Sequence, residues 1–236
     1  MINRLTIIIP AYNESAYITR CLENVINSKT PNLKKEIIVV NDGSKDNTLD
    51  ILELFQKSHF INVISHERNM GKGACIKTAL CQSTGEIVIV QDADLEYDPN
   101  DYVAILDMFN DSNVDVVYGS RITGAKIYHN YSANAVFYLG GITLTKITNV
   151  FFKTKLTDQP TGYKSWRREL SQGIIENCHA DGFEFEIELT AYFSNKTEIQ
   201  EVPIHYYPRT VSHGKKISAS DFFRSVATII RCWKKR

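Results

Sequence analysis

The first half of the chain alternates short apolar runs with polar segments of helical length. The apolar runs are rich in β-branched residues and predict five strands, at Leu5–Ile9, Glu36–Val40, Ile61–Ile64, Glu86–Val90 and Val114–Tyr118. Strands that alternate with amphipathic helices are typical of a parallel sheet with crossover helices. Ligands of such sheets bind beyond the carboxyl ends of the strands. We therefore predict an α/β fold whose functional residues follow the strand ends.

Local helix signals agree with this arrangement. Asp98 followed by Pro99 predicts a helix start, with an acceptor side chain at the N-cap and proline in the first turn. The glycine-containing turn at residues 69–73 predicts a second helix that runs through Ala79. Residues 131–152 carry a single charge, Lys146, and predict a long apolar helix or helix pair. This segment could be core, the cover of an acceptor groove, or a surface that faces a membrane.

The C-terminal segment is basic and amphipathic. Residues 205–236 hold eight of the 27 Lys and Arg residues and one of the 27 acids, so a basic tail balances an acidic body in a chain of zero net charge. Such asymmetry points to an anionic partner. One helical face carries the apolar residues Phe222, Val226, Ile229, Ile230 and Trp233, beside Arg224, Arg231, Lys234, Lys235 and Arg236. This face either lies in the headgroup region of an anionic bilayer or packs on the domain.

Length and composition predict one main domain. The 236 residues, 43% hydrophobic and 23% charged, suffice for one core, and we divide them into a domain over residues 1–210 and a basic loop with an amphipathic helix over residues 211–236. The five cysteines are widely spaced without a ligand pattern, which fits a reducing cytosol. We expect neither a signal peptide nor a transmembrane helix, and no nucleic-acid partner. The expected location is the cytoplasmic face of a membrane.

The strongest chemical signal is a carboxylate cluster at the end of the fourth predicted strand. Asp92 and Asp94 follow that strand directly, and Glu96 comes two residues later. In an extended segment, residues two apart project to the same side, so both aspartates can reach one ion. Hard divalent cations prefer oxygen ligands, and Mg²⁺ is commonly held by one or two carboxylates together with substrate phosphates. The alternative interpretation is a solvated acidic turn.

Two further strand ends carry acids. Glu14 follows the first strand and Asp42 the second, so both would share one edge of the sheet with Asp92 and Asp94. Acids concentrated in this way are costly unless a cation or hydrogen-bond donors balance them. Each segment also has a simpler interpretation, because Asn13 or Ser15 could cap a helix and residues 41–44 could form an ordinary turn. Their coincidence at three strand ends favours a functional site.

These motifs resemble a known family in order along nearly the whole chain. The matching segments are PAYNE, VVNDGSKDNT, RNMGKGAC, QDADLEYDP, YGSR, TDQPTGYK, DGFEFEIELTAYF and EVPIHYYPRTVSHGKKI. They resemble the family 2 glycosyltransferases of the GT-A fold, and within them the dolichol-phosphate mannosyltransferase-like, polyprenyl-phosphate branch. The resemblance implies a Rossmann-like, mostly parallel central sheet flanked by helices, here followed by a C-terminal amphipathic helix.

The resemblance also implies roles for particular residues. The nucleotide pocket would be lined by Pro10, Tyr12, Glu14, Val40, Asp42 and Ala93, with Asp42 reading the base. Mg²⁺ or Mn²⁺ would be held against the diphosphate by Asp92, Asp94 and Glu96. Phosphate charge on donor or acceptor would be balanced by Lys72, Arg121, Arg209 and Lys215. Two positions depart from the family pattern, since Asn41 stands where Asp is more usual and Glu96 where Gln is common.

The acceptor separates two mechanisms. A sugar hydroxyl must lose a proton, and Asp158 is the candidate base. A lipid phosphate monoester is already anionic near neutral pH and needs cations instead, which the basic loop from Arg209 to Lys216 offers. We therefore expect a metal-dependent, inverting glycosyltransferase that moves a sugar from a GDP- or UDP-sugar to a polyprenyl phosphate.

Three other functions remain open at this point. The acceptor could be a saccharide hydroxyl in cell-surface polysaccharide assembly. A sugar nucleotidyltransferase would be expected to carry a glycine-rich basic loop after its first strand, where this chain has PAYNES. A non-catalytic module that binds a nucleotide sugar would not need an intact set of metal-ligating acids.

Overall fold

The computed structural model describes residues 2–129, 135–209 and 219–235. Within these ranges the chain forms one sheet of seven strands, which is flanked by helices. The strands are β1 Arg4–Ala11, β2 Lys34–Asn41, β3 Ile61–Ser65, β4 Ile87–Val90, β5 Val116–Ser120, β6 Lys164–Arg167 and β7 Ile199–Pro203. The predicted mostly parallel α/β architecture is confirmed.

The helices follow the predicted alternation in the first half of the chain. They are α1 Ile18–Asn27, α2 Thr48–Ser58, α3 Lys72–Leu80, α4 Tyr102–Met108, α5 Arg121–Tyr128, α6 Ala135–Phe152, α7 Ser171–Asn177, α8 Phe185–Ser194 and α9 Ala219–Lys234. The predicted start at Asp98 is confirmed, because its carboxylate accepts a hydrogen bond of 2.9 Å from the backbone N–H of Asn100. A short 3-10 turn at Pro99–Asp101 leads from there into α4. From residue 135 onward the long apolar segment is one helix, α6, and residues 131–134 lie outside the described ranges.

The strand order is β3-β2-β1-β4-β6-β5-β7. β6 runs antiparallel to both of its neighbours, β4 and β5, and the other neighbouring pairs are parallel. β5 begins two residues later than predicted, because the N–H of Val114 closes a turn on the carbonyl of Asp111 at 3.1 Å before strand pairing starts. β6 and β7 were not predicted, because their sequences, KSWR and IQEVP, are short and contain charged residues.

The sheet is covered on both faces. On one face Leu5, Ile7 and Ile9 of β1 pack in a cluster with α1 and α4, and on the other face Ile8 packs in a cluster with α3, α7 and α8. The alternation follows from the two-residue period of a strand. Parallel strands with both faces buried leave their carboxyl ends as the open edge, and the acid-bearing loops lie at that edge.

α9 packs on the domain through the apolar face that the sequence predicts. Ile229 is fully buried, in a cluster with Leu144 and Phe152 of α6 and with Ile187 of α8. Phe222 and Val226 pack against the same cluster. The packing interpretation is therefore confirmed for Phe222, Val226 and Ile229, whereas Ile230 and Trp233 of the predicted face are 38% and 49% exposed. The boundary between residues 210 and 211 stays a prediction.

α9 is also tied to α8 by an ion pair. Arg231 Nη2 lies 2.8 Å from Glu188 Oε1, and Glu188 is buried. In the part of the chain that the structure describes, none of the helices combines the length and the apolar character needed to cross a bilayer.

Candidate active site

The loops after β1 and β2 meet at the carboxyl edge of the sheet. The N–H of Asn13 donates to Ser44 Oγ at 3.0 Å, and the N–H of Lys45 donates to Asn13 Oδ1 at 2.8 Å. The N–H of Glu14 donates to Thr48 Oγ1 at 2.9 Å, which joins this loop to the start of α2. The predicted convergence of these two strand ends is therefore present.

The residues predicted to line the nucleotide pocket fall into two groups. Pro10 and Tyr12 are half-buried at the edge of the sheet. Val40 and Ala93 are buried in the core, so their side chains support the edge from behind. A ligand at the edge would contact these two residues through their backbone atoms.

Asp42 lies under the turn that precedes α3. Its Oδ1 accepts from His66 Nδ1 at 2.8 Å and from the N–H of Met70 at 2.9 Å, while its Oδ2 accepts from the N–H of Gly71 at 2.7 Å. Gly71 has a φ of 102°, and a Cβ there would overlap the carbonyl of Asp181. Asp42 thus fixes the turn that places Lys72 at the first position of α3.

Asp42, His66 and Cys75 lie close enough together to resemble a metal-ligand set, with one ligand atom from each within 4.8 Å of the others. Their contacts are those of a hydrogen-bonded cluster. Asp42 already accepts three hydrogen bonds, and His66 Nε2 lies 2.9 Å from Thr78 Oγ1. Burial, with the Asp42 charge beside it, raises the pKa of the Cys75 thiol well above its usual value. The hydrogen bonds that Asp42 accepts from Met70 and Gly71 show that this cluster holds the Met70–Gly71 turn.

Asp92 precedes and Asp94 lies within a turn that begins at Ala93, so the two are not in one extended segment as the sequence predicts. The turn is marked by a positive φ of 63° at Leu95. Each aspartate faces a cation, since Lys72 Nζ lies 2.6 Å from Asp92 Oδ1 and Arg209 Nη2 lies 2.7 Å from Asp94 Oδ2. The two carboxylates therefore share one site by means of the turn.

Arg209 is the centre of the charge pattern. Besides Asp94, its guanidinium lies 3.5 Å from Glu14 Oε2 and 3.7 Å from Glu96 Oε1. Glu96 is also held by Tyr206, whose hydroxyl donates to Oε2 at 2.8 Å, and by the N–H of Arg209, which donates to Oε1 at 2.9 Å. These side chains form what we call the edge cluster. It contains four carboxylates and two cations, namely Glu14, Asp92, Asp94 and Glu96 with Lys72 and Arg209.

The excess of carboxylates shifts the pKa of Asp94. Burial first, and then the charges of Asp92 and Glu96, raise the pKa of Asp94 to about 7, although Arg209 acts in the opposite direction. A site of oxygen donors with excess negative charge suits a hard divalent cation. The edge cluster therefore has the donor chemistry for Mg²⁺ or Mn²⁺.

Asp158 is held at both carboxylate oxygens by Arg121. The Asp158 Oδ2 atom accepts from the backbone N–H of Arg121 at 2.9 Å and from its Nε at 2.7 Å, and Oδ1 accepts from Nη2 at 2.7 Å. Arg121 Nη2 also donates to the carbonyl of Pro160 at 2.9 Å. In this conformation the pair anchors residues 158–160 to the start of α5. Lys215, the last predicted cationic residue, lies outside the described ranges.

The sequence analysis assigned no role to three residues of the site, although two of them, Lys164 and Glu186, lie in segments that resemble the family. His66 lies beside Asp42, while Glu186 and Lys164 continue the charge pattern beyond Lys72, with Glu186 Oε1 2.7 Å from Lys72 Nζ. Glu186 is one of three alternating glutamates in FEFEIE, and Lys164 lies in a strand that was not predicted. Only tertiary contacts distinguish them from surface charges.

The sequence profile of glycosyl transferase family 2 matches residues 6–174. The chain belongs to this family. The matched range contains the loops of Glu14, Asp42 and Asp92 as well as Asp158. The resemblance drawn from the motifs, and with it the prediction of a glycosyltransferase, is confirmed.

Two curated proteins are similar to this chain over most of its length. A dolichyl-phosphate beta-glucosyltransferase of Trichomonas vaginalis is 31% identical over 85% of this chain, and the alignment spans 63% of that relative's length. A UDP-N-acetylglucosamine–dolichyl-phosphate N-acetylglucosaminyltransferase of Methanococcus voltae is 30% identical over 84% of this chain and 83% of that protein. Both relatives support the polyprenyl-phosphate branch of the family.

A solved structure confirms the GT-A fold. Glucosyl-3-phosphoglycerate synthase from Mycobacterium tuberculosis, crystallised with UDP, superposes with a TM-score of 0.72 over 98% of this chain and 80% of that chain, at 18% identity. Other structures of that synthase hold UDP together with Mn²⁺ or Mg²⁺. At this identity the similarity concerns the fold.

The raised pKa of Asp94 predicts a pH-dependent stability in metal-free protein. Between about pH 4 and pH 7 the folded state holds a proton that the unfolded state releases, so the free energy of unfolding falls as pH rises through this window. Asp94→Asn should remove this contribution, which is at most about 4 kcal/mol. Urea unfolding at pH 4.5 and pH 8 measures it, with Asp107→Asn, at an exposed acid on α4, as the control. An Asp94→Asn variant that keeps the wild-type pH dependence would show that the cluster is not strained by charge.

Proposed function

We propose that this chain transfers a sugar, with inversion, from a nucleoside diphosphate sugar to a polyprenyl phosphate such as dolichyl phosphate, with the help of Mg²⁺ or Mn²⁺. The observation that carries the proposal is the edge cluster, where carboxylates for a cation and side chains for phosphate meet in one site. The names of the two curated relatives support the acceptor.

Asp92 and Asp94 would hold the divalent cation, with Glu96 next to them. Such a cation stabilises the negative charge that grows on the leaving diphosphate. Lys72 contacts Asp92 and Arg209 contacts Asp94, so both would lie within reach of phosphate oxygens at that position. Fixed cations around a leaving group lower the transition-state energy because they need no reorganisation.

The donor's nucleoside would bind beside the loops after β1 and β2. Pro10 and Tyr12 supply half-buried surface there, and Glu14 lies at its border with Arg209. Asp42 holds the Met70–Gly71 turn with its carboxylate, so a contact to the base would use the acceptor capacity that remains on Oδ2. Asp42 thus serves both the nucleoside pocket and the placement of Lys72.

The state of Asp158 favours a phosphate acceptor over a sugar hydroxyl. A general base must meet the acceptor hydroxyl within hydrogen-bond reach, whereas the carboxylate of Asp158 is 3% exposed and is paired at both oxygens with the guanidinium of Arg121. A phosphate monoester requires no base because it is already ionised near neutral pH. Arg209 would hold and orient that nucleophile.

A second face of α9 supports peripheral contact with an anionic membrane. Phe223 and Ile230 are seven residues apart, so they lie on one side of the helix, and they are 71% and 38% exposed. Trp233 is 49% exposed, although its ring packs edge-on against Phe151 of α6 with ring centres 5.5 Å apart. Basic residues nearby on α9 are Arg224, Lys234 and Lys235. Exposed apolar and aromatic residues beside basic ones suit the interface of an anionic bilayer. We propose that this outer face rests on the membrane that carries the acceptor.

A transfer assay with matched acceptors tests the function. Purified protein with Mn²⁺ and a radiolabelled UDP- or GDP-sugar should glycosylate a short polyprenyl phosphate, and should leave the corresponding prenol and simple saccharides unmodified. Asp94→Asn should reduce this rate by more than about tenfold, because the cation and the leaving diphosphate share that ligand. Transfer to a saccharide hydroxyl with none to the lipid phosphate would refute the acceptor assignment and leave the family assignment intact.

If the outer face of α9 contacts a membrane, substitutions on its two faces should have different effects, one on vesicle binding and the other on stability. Replacing Phe223 and Ile230 by serine should weaken sedimentation with phosphatidylserine vesicles severalfold and change the free energy of unfolding little, because both side chains are exposed. Ile229→Ala should do the reverse and cost about 2 to 4 kcal/mol of stability, since Ile229 is fully buried. Phe60→Ser, at a fully exposed phenylalanine before β3, is the matched control. Unchanged vesicle binding by the double serine variant would argue against the interface.

A further inference from the structure

A lysine is buried beneath the edge cluster. Lys164, in β6, is 1% exposed, and its ammonium donates to the carbonyl of Gln159 at 3.0 Å and to that of Thr161. It also lies 4.9 Å from the centre of the Tyr118 ring. Burial of an ammonium is costly unless a carboxylate and further acceptors compensate it. The compensating carboxylate is Glu186, whose Oε2 is 3.3 Å from Lys164 Nζ.

Glu186 joins this lysine to the edge cluster. Its other oxygen, Oε1, lies 2.7 Å from Lys72 Nζ, and Lys72 in turn contacts Asp92 at 2.6 Å. The result is a row of four charges of alternating sign, which we call the charge chain: Asp92, Lys72, Glu186 and Lys164. Burial opposes ionisation of Glu186, but Lys164 and Lys72 lower its pKa to about 2, so it is charged at neutral pH.

Both ends of the charge chain touch the same loop. Lys164 binds the carbonyls of Gln159 and Thr161, and Gly162 packs so closely on Asp92 that a Cβ there would overlap Asp92 Oδ2. Residues 159–162 consequently hold the distance between Asp92 and Lys164. Lys72 is fixed between the two ends.

We propose that Glu186 and Lys164 are positioning residues that set Lys72 against the diphosphate of the donor. The inference rests on the proposed function. Lys72 has a flexible four-carbon stem that loses direction without fixed partners. A cation held by Asp92 would compete with Lys72 for that carboxylate, and Glu186 then remains as the partner that keeps the ammonium at the edge. Lys164 keeps Glu186 ionised and in place.

A purely structural role makes a different prediction. If the charge chain only stabilised the fold, its loss would weaken binding of every nucleotide to a similar degree. If instead the charge chain positions Lys72, its loss affects only the phosphate that Lys72 contacts. Binding of a nucleoside diphosphate would then weaken, and binding of the monophosphate would stay unchanged. The ratio of the two dissociation constants, UMP over UDP, separates the two roles.

Calorimetry in the presence of Mn²⁺ measures this ratio for the full chain. Glu186→Gln should lower the ratio about tenfold, the effect of weakening one hydrogen bond between charged groups, with UMP binding unchanged. Lys72→Met should lower it at least as much, and adding Glu186→Gln to Lys72→Met should cause no further loss. The pair GMP and GDP replaces UMP and UDP if the wild type prefers guanine.

Two further variants control for folding. Glu188→Gln changes another buried glutamate of α8, which binds Arg231 and the N–H of Ala180, and should lower thermal stability without changing the ratio. Lys164→Met combined with Glu186→Gln removes the buried pair together, so it avoids an unpaired buried ammonium and should fold while still showing the tenfold loss.

The outcomes distinguish the inference from the proposed function. A wild type that binds diphosphates no better than monophosphates, with either base, would overturn both. A wild type that prefers the diphosphate, with a ratio preserved in Glu186→Gln and in the double variant, would overturn the inference alone. If the variants lose UMP binding and UDP binding to the same degree, the charge chain only stabilises the fold and the inference is wrong.

Discussion

Repulsion between carboxylates gathered at one edge of the sheet is the constraint on which the rest of the site depends. Parallel strands bring the loops of Glu14, Asp92 and Asp94 together, and the raised pKa of Asp94 records the cost. The chain meets that cost with cations from distant segments, Lys72 from the start of α3 and Arg209 from beyond β7. The start of α3 and the segment after β7 therefore supply the charges that a diphosphate would need.

Local patterns in the sequence were sufficient to predict the first five strands and the acids that follow them, because alternation and strand-end polarity are short-range signals. β6 and β7 are short and contain charged residues, so no local signal marks them. β6 is also inserted between β4 and β5, out of chain order. The same reason applies to Lys164 and Glu186, whose roles depend on contacts between segments more than 20 residues apart. Motif similarity made Asp158 a candidate base, and its bond to Arg121 became visible only in the structure.

The GT-A fold alone does not decide the acceptor. A synthase of similar fold at 18% identity acts on a small phosphorylated acid, as its name states, whereas the curated relatives act on dolichyl phosphate. In this chain the acceptor preference would follow from the engaged Asp158, from Arg209 and from the outer face of α9. Ile229 packs α9 on the core, and Phe223 and Ile230, on a neighbouring side of the helix, are exposed and would meet a lipid surface.

The central claim is that the edge cluster binds a divalent cation together with a nucleoside diphosphate, and electron paramagnetic resonance of Mn²⁺ tests it most directly. Free Mn²⁺ gives a signal that is lost on binding, so titration with and without UDP or GDP measures both affinities. The account predicts that the nucleotide tightens Mn²⁺ binding severalfold in the wild type and that Asp94→Asn abolishes this gain. Mn²⁺ that binds Asp94→Asn and wild type equally in the presence of nucleotide would contradict it.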